Sequence, residues 1–416
     1  MKLTTFLTLA TIVAMTACQQ NIAQPMPVEE PSKEGQQETA ERKQIHLSQT
    51  ELQMVSSNNN FAFNLFRTAQ EDKSQILSPL SITYALSMLN NGATGETQQE
   101  INQTLGFFET DIDSINVFCK KMLDGSPTLD KGTKVLIGNT IYTNKGYTLK
   151  TDFVKKAKEY YDATPESRDF HDGETLNVIN QWASDHTNKM IDQVLDGQTF
   201  NPNAVSYLLN AIYFKGAWAE KFNKDLTKEG LFNDKEKVMM MRQVEKLYYA
   251  DNDYFSSVEL PYGNGSYCMT VMLPHEDKTI DDVLDYLSSK TWKDNGNRMH
   301  KCLVDLELPR FETKTDMELN TIMQKLGISK AFTNDAEFDR FCDISTKIDL
   351  IKQVARIKLD EEGTEAAAVT VIGSKVASAA PREPERVVFH ADRTFLYVIS
   401  EQSSEAIFFI GKYTGQ

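Results

Sequence analysis

Six histidines are the first candidates for chemistry: His46, His171, His186, His275, His300 and His390. None stands in an H-E-x-x-H run or at a paired ligand spacing, so they read as surface residues and no metal site is expected. The G-x-S-x-G elbow, the P-loop and G-x-G-x-x-G are all missing from the chain. Carboxylates are plentiful, but an acid and a base could pair only through tertiary placement that spacing does not show. Asp360-Glu361-Glu362 could begin a calcium patch, yet a run of acids is usually a solvated turn and no further oxygen ligands are identifiable. No cofactor is implied, and no motif supports an enzyme.

The stretch Glu361-Glu362-Gly363-Thr364-Glu365-Ala366-Ala367-Ala368-Val369-Thr370 offers conformational chemistry instead. Its small residues suit a loop, and its alternation suits a strand. Drawn as extended chain, it places Thr364, Ala366, Ala368, Thr370, Ile372 and Ser374 on one face, with Glu365 and Lys375 on the other. The first face carries no charge and could be buried. A segment exposed in one state and inserted into a sheet in another is what a single-use trap needs.

The elements that must position this segment are legible as apolar periodicity. Asn60 to Gln70 carries Phe61, Leu65 and Phe66 near helical spacing, and Ser78-Pro79-Leu80 opens a second helix through Ile82, Ala85, Leu86 and Leu89. Thr97 to Leu105 and Leu176 to Met190 also read as helices, as does Met317 to Leu326. Thr133 to Tyr142 alternates as a strand, and Val205 to Phe214 is a nearly continuous apolar run that reads as a central strand buried on both faces. Tyr262-Gly263-Asn264-Gly265-Ser266 joins two strand-like runs as a hairpin, with Asn-Gly accepting positive φ. Leu303 to Leu308, Phe395 to Ser400 and Ala406 to Gly411 supply further strands, so the class is α+β. Asn210 inside its apolar strand, with Ser78 and Ser81 opening a helix, fits either ordinary capping plus one satisfied buried amide or a polar cluster that locks a sheet.

Composition bounds the rest. Lys2, the apolar run Leu3 to Met15 and Met15-Thr16-Ala17-Cys18 form the three regions of an export signal over residues 1–17, too short to span a bilayer. A cysteine straight after a small residue resembles a bacterial lipoprotein box, so Cys18 is expected to carry lipid and anchor the chain in a cell envelope; plain secretion is the rival. Residues 18–44 then read as a flexible tether and 45–416 as one globular body. Cys119, Cys268, Cys302 and Cys342 show no C-x-x-C spacing and read as buried free thiols. A formal charge of −15 disfavours nucleic acid as a partner.

Four stretches together resemble the serpin family over the body from about Asn60 onward. They are Ser78-Pro79-Leu80-Ser81-Ile82 with Ala85 to Leu89, Asn210-Ala211-Ile212-Tyr213-Phe214-Lys215-Gly216-Ala217-Trp218, the Glu361 to Thr370 segment, and Phe389-His390-Ala391-Asp392-Arg393 with Phe395-Leu396. The resemblance implies a fold of three β-sheets and eight or nine helices, with an exposed reactive-centre loop at about residues 361–386. It also implies a monomeric inhibitor whose loop, once cleaved and acylated to the protease, inserts into the central sheet. Ser78, Ser81 and Asn210 would form a lock beneath that sheet. Gln353 stands where the family usually has histidine, and glutamine can donate and accept as well. Trp218 would stand near the top where the loop enters, and Glu361 would face Arg310 as a salt bridge there.

Counted from Gly363 by the family's spacing, the scissile bond is Ala377-Ser378, which implies elastase-like or subtilisin-like targets with small pockets. Counting back from Phe389 lands nearer Pro381-Arg382. Lys375 and Arg382 keep trypsin-like enzymes as the alternative, with papain-like ones as further partners. The alternative function is a non-inhibitory surface binding protein on the same scaffold.

Overall fold

The computed structural model describes residues 43–108, 110–364 and 384–416. The export signal, Cys18 and the tether to residue 42 lie outside the described residues, as do Glu365 to Thr370 and the bait positions Lys375, Ala377, Ser378 and Arg382.

Helix α1 (Gln49–Ala69) opens on a capping box: Ser48 Oγ accepts from the Glu51 N–H at 3.3 Å and Glu51 Oε2 accepts from the Ser48 N–H at 2.6 Å. It begins well before the Asn60 that apolar spacing suggested. The reason is that its earlier turns put asparagines into the interior: Asn58 Oδ1 accepts from Thr83 at 2.6 Å and Asn59 Nδ2 donates to the Glu405 carbonyl at 2.8 Å. Helix α2 (Pro79–Asn90) is buried at every position, with Pro79 in the first turn where a missing N–H costs nothing.

A six-stranded sheet lies over α2. Its order is β10 (Phe311–Glu318), β11 (Leu350–Asp360), β12 (Gly363–Thr364), β4 (Ser206–Ala217), β2 (Lys134–Asn144) and β3 (Glu166–Arg168). Strand β4 is the run predicted as buried on both faces. Leu208, Ile212 and Phe214 enter the main core, while Tyr207, Leu209 and Ala211 pack in a second core with Ile179, Trp182 and Ala183 of the helix Thr175–His186. Burial on both sides explains its unbroken apolar sequence.

The other sheet has nine strands. Its path runs β1 (Gln75–Leu77), β15 (Ile407–Tyr413), β14 (Phe395–Glu401), β8 (Tyr267–Pro274), β7 (Phe255–Tyr262), β6 (Glu236–Asp251), β9 (His300–Pro309) and β13 (Arg386–His390), with β5 (Lys228–Phe232) paired to β6. Two of the three implied sheets are therefore continuous. The long β6 pairs with β9 over Met240–Tyr249 and with β7 over Tyr248–Asp251, so the two halves share its carboxyl-terminal end.

Nine α-helices occur among the described residues. The predicted helix from Met317 starts at Asn320, because Met317 belongs to β10 and pairs with Gln353. In the β7–β8 hairpin positive φ falls on Gly263 and Gly265 rather than on Asn264. Cys119, Cys268, Cys302 and Cys342 are all buried thiols.

Candidate functional site

Strands β4 and β11 run parallel, and among the described residues their pairing covers Tyr207–Ile212 against Leu350–Ala355. Asn210 lies opposite Gln353 in this ladder, and both side chains point toward the start of α2. Gln353 Nε2 donates to Asn210 Oδ1 at 2.6 Å and to the Ser78 carbonyl at 3.1 Å; Gln353 Oε1 accepts from the Ser78 N–H at 3.0 Å. Ser81 Oγ donates to Asn210 Oδ1 at 2.8 Å, and Asn210 Nδ2 donates to Asn139 Oδ1 at 2.7 Å.

The four residues named from sequence thus form one buried network tying α2 to β11, β4 and β2. Ser78 is not a side-chain cap here; its hydroxyl donates to the Phe408 carbonyl at 2.7 Å. Asn139 was not anticipated. The signal was present, since it interrupts the inward row Val135, Ile137, Ile141 of β2 as Asn210 interrupts that of β4.

Above Ile212 and Ala355 the two strands part, and the beginning of the Glu361–Thr370 segment stands between them. Thr364 pairs with Leu359 on one side and Gly216 on the other, and Gly363 with Asp360 and Ala217. Gly363 has φ +143°, and a Cβ there would meet the Gly216 carbonyl oxygen at 2.2 Å, so only glycine fits this close approach. Thr364 is fully buried, its hydroxyl 2.7 Å from that of Tyr262, whose ring stacks on Trp218 at 4.5 Å between centroids.

The turn before β12 is held on every side. The Trp218 indole donates to the Asp360 carbonyl at 3.0 Å, and the Trp218 and Phe222 amides donate to the Glu362 and Glu361 carbonyls at 2.9 and 3.0 Å. Of the run Asp360-Glu361-Glu362, Asp360 ends β11 and Glu361-Glu362 form the turn, which is not a solvated one: Glu361 is only 2% exposed. Its carboxylate accepts from Arg310, and from Thr227 at 2.7 Å. Burial pushes the Glu361 carboxyl up, but these two bonds outweigh it and hold the group below its ordinary value. Glu362 receives Lys221 at 2.6 Å and Lys224 at 2.9 Å, and those bonds bring its carboxyl down to about 2. Neither lysine carried a local signal, because each lies more than a hundred residues from its partner in the chain.

The arrangement can do one thing chemically unusual for a sheet: it has a zipped lower half, a parted upper half and a strand already seeded between the parted edges. Comparison with known proteins points the same way. A family described as Serpin (serine protease inhibitor) matches residues 56–415. Serpin B8 of Homo sapiens is 31% identical, over 87% of this chain and 99% of its own length. The native structure of tengpin, a thermophilic serpin, superposes with a TM-score of 0.80 at 26% identity, covering 89% of this chain and 95% of tengpin. Thyroxine-binding globulin in complex with thyroxine gives 0.77 at 29% identity, covering 86% and 98%.

Replacing Gln353 by methionine keeps the volume but leaves the Ser78 N–H and one Asn210 lone pair without their partner. Urea unfolding should show a loss of about 1–3 kcal/mol, and an unchanged midpoint would mean the network contributes nothing. Acid should loosen the turn before β12. Glu361 and Glu362 both titrate lower in the folded chain than the ordinary 4.5, so their contribution is present above pH 4.5 and fades as pH falls through their folded values, toward about 2 for Glu362. Fluorescence of Trp218 should therefore change between those limits, and in a Glu361→Gln, Glu362→Gln double variant that change should disappear.

Proposed function

This chain belongs to the serpin family, and from that premise we propose that it is a suicide-substrate inhibitor of serine proteases. The observation that carries the reading is β12, which already occupies the gap between β4 and β11 in the uncleaved chain. Extended in the same register, each further residue would step back along both neighbours. Ala366 would fall between Phe214 and Ile357, Ala368 between Ile212 and Ala355, and Thr370 between Asn210 and Gln353.

Those inward positions share the parity of Thr364, so small uncharged side chains would meet the core. The inserting strand would replace one parallel ladder with two antiparallel ones, adding net hydrogen bonds worth about 1 kcal/mol each. Its path runs through the Asn210–Gln353 bond, which must open to admit Thr370. That bond therefore belongs to the barrier, and the uncleaved form is held kinetically. Cleavage frees the loop to move, and the acylated protease is carried with it.

The target bond is Ala377-Ser378, presented to proteases with small pockets; Lys375 is the alternative for trypsin-like enzymes. The Met15-Thr16-Ala17-Cys18 sequence supports export and lipid anchoring in a bacterial envelope. The second reading, a binding protein on this scaffold, is favoured by one observation, the likeness to thyroxine-binding globulin.

Incubation with a pancreatic-type elastase should give a complex that survives denaturing electrophoresis, and the released carboxyl-terminal peptide should begin at Ser378. Quantitative cleavage without that band would turn the reading to the binding protein, and a peptide starting at Val376 would make Lys375 the bait. Thr364→Arg puts a charge where the side chain is fully buried, at a desolvation penalty of several kcal/mol. The variant should still be cut while its complex yield collapses, and an undiminished yield would contradict insertion through β12.

A further inference from the structure

We propose that His300, Cys302 and Glu385 bind a zinc-class divalent ion that clips β13, the strand following the reactive-centre loop, to β9. One nitrogen, one sulfur and one carboxylate oxygen from these residues lie within 4.8 Å of one another. His300 and Cys302 are two apart on β9 and share a face. Strand β13 runs parallel with Arg386 opposite Leu303, so Glu385 stands beside Cys302, and its carbonyl accepts from the Leu303 N–H at 2.7 Å.

The donor set selects the ion. Imidazole, thiolate and a single carboxylate suit zinc, whereas calcium and magnesium want oxygen throughout. Three protein ligands leave a fourth position for water. His300 is already oriented: Nδ1 lies 3.3 Å from the Arg298 carbonyl, and Nε2 faces Glu385 Oε2 at 3.2 Å. A backbone carbonyl on one ring nitrogen, which leaves the other for the ion, is the usual support of a metal-bound histidine. His300 and Glu385 are exposed and can close on the ion, while Cys302 is fixed by burial. Sequence spacing could not show this site, because two donors lie on β9 and the third just before β13, far apart in the chain.

The place gives the ion a consequence. Among the described residues β13 is an edge strand held to its sheet only through β9, and Glu385 is where the loop rejoins the body. An ion here would fasten the carboxyl-terminal root of the loop, whatever the loop does to a protease.

The test uses the full chain, stripped with chelator and titrated with cobalt(II), which takes zinc's ligands and reports a thiolate among them by a charge-transfer band. One equivalent should produce the band, one equivalent of zinc should remove it, and zinc should slow amide exchange over Arg386–His390. His300→Ala and Glu385→Gln alter exposed side chains and should each weaken zinc binding at least about tenfold. Absence of the band overturns the proposal, and so does a band that survives both substitutions, since it would come from another thiol. Cys302→Ser should abolish the band; should that variant not fold, the two exposed substitutions decide the matter alone.

Discussion

The bond between Gln353 and Asn210 is the constraint on which the rest of this structure depends. It crosses the ladder between β11 and β4 at 2.6 Å, in full burial, and is anchored from below by Ser78 and Ser81 at the start of α2. A buried amide pair is costly to leave half-made, so separating these strands carries a penalty well above that of parting two apolar side chains. Closure of the lower sheet is thereby made discrete. With the amides paired the strands are zipped, and parting them would require another partner for the same buried groups.

The upper half works by the opposite means. There β4 and β11 are already apart, and the Glu361-Glu362 turn that leads into β12 is held by charge and backbone capture rather than by direct pairing of those two strands. Glu361 is buried against Arg310 and Thr227, and Glu362 is held by two lysines at the surface. A buried carboxylate needs each of these partners. Pairing Gly363 and Thr364 with both neighbours sets the register and parity that the proposed insertion would extend. A one-residue slip would turn Glu365 into the core, which is why the close approach at Gly363 matters more than its two residues of strand suggest.

Much of this was legible in the chain where one physical signal dominated. The central strand declared itself because both faces are buried, and the β7–β8 hairpin because its turn chemistry is strong. The amino-terminal half of α1 did not, since Asn58 and Asn59 interrupt its apolar face while being satisfied inside the core. The polar cluster was open between two readings on residue types alone, and only the register Gln353 opposite Asn210 brings its members within bonding distance. Lys221 and Lys224 were invisible for a similar reason: long-range charge pairs leave no periodicity. The continuity of two expected sheets through β6 was also hidden, because a strand that changes partners along its length reads like any other half-buried strand.

Glutamine at position 353 also decides how the closed sheet responds to its surroundings. The resembling family usually carries histidine there, a side chain whose protonation near neutral pH would add a charge to a fully buried network and so couple sheet closure to acidity. An amide has no such transition, and Gln353 offers the same pattern of one acceptor and two donors at every pH. In this chain the lock is consequently indifferent to protons, and acid sensitivity moves up the sheet to Glu361 and Glu362, whose carboxylates hold the turn. Zipper and seed are then governed by different chemistry: the first by neutral hydrogen bonds, the second by ion pairs that fade only as pH falls below the ordinary 4.5, toward about 2 for Glu362. The turn can therefore lose grip in acid while the Asn210–Gln353 pair keeps its hydrogen bond, because the two share no titrating group.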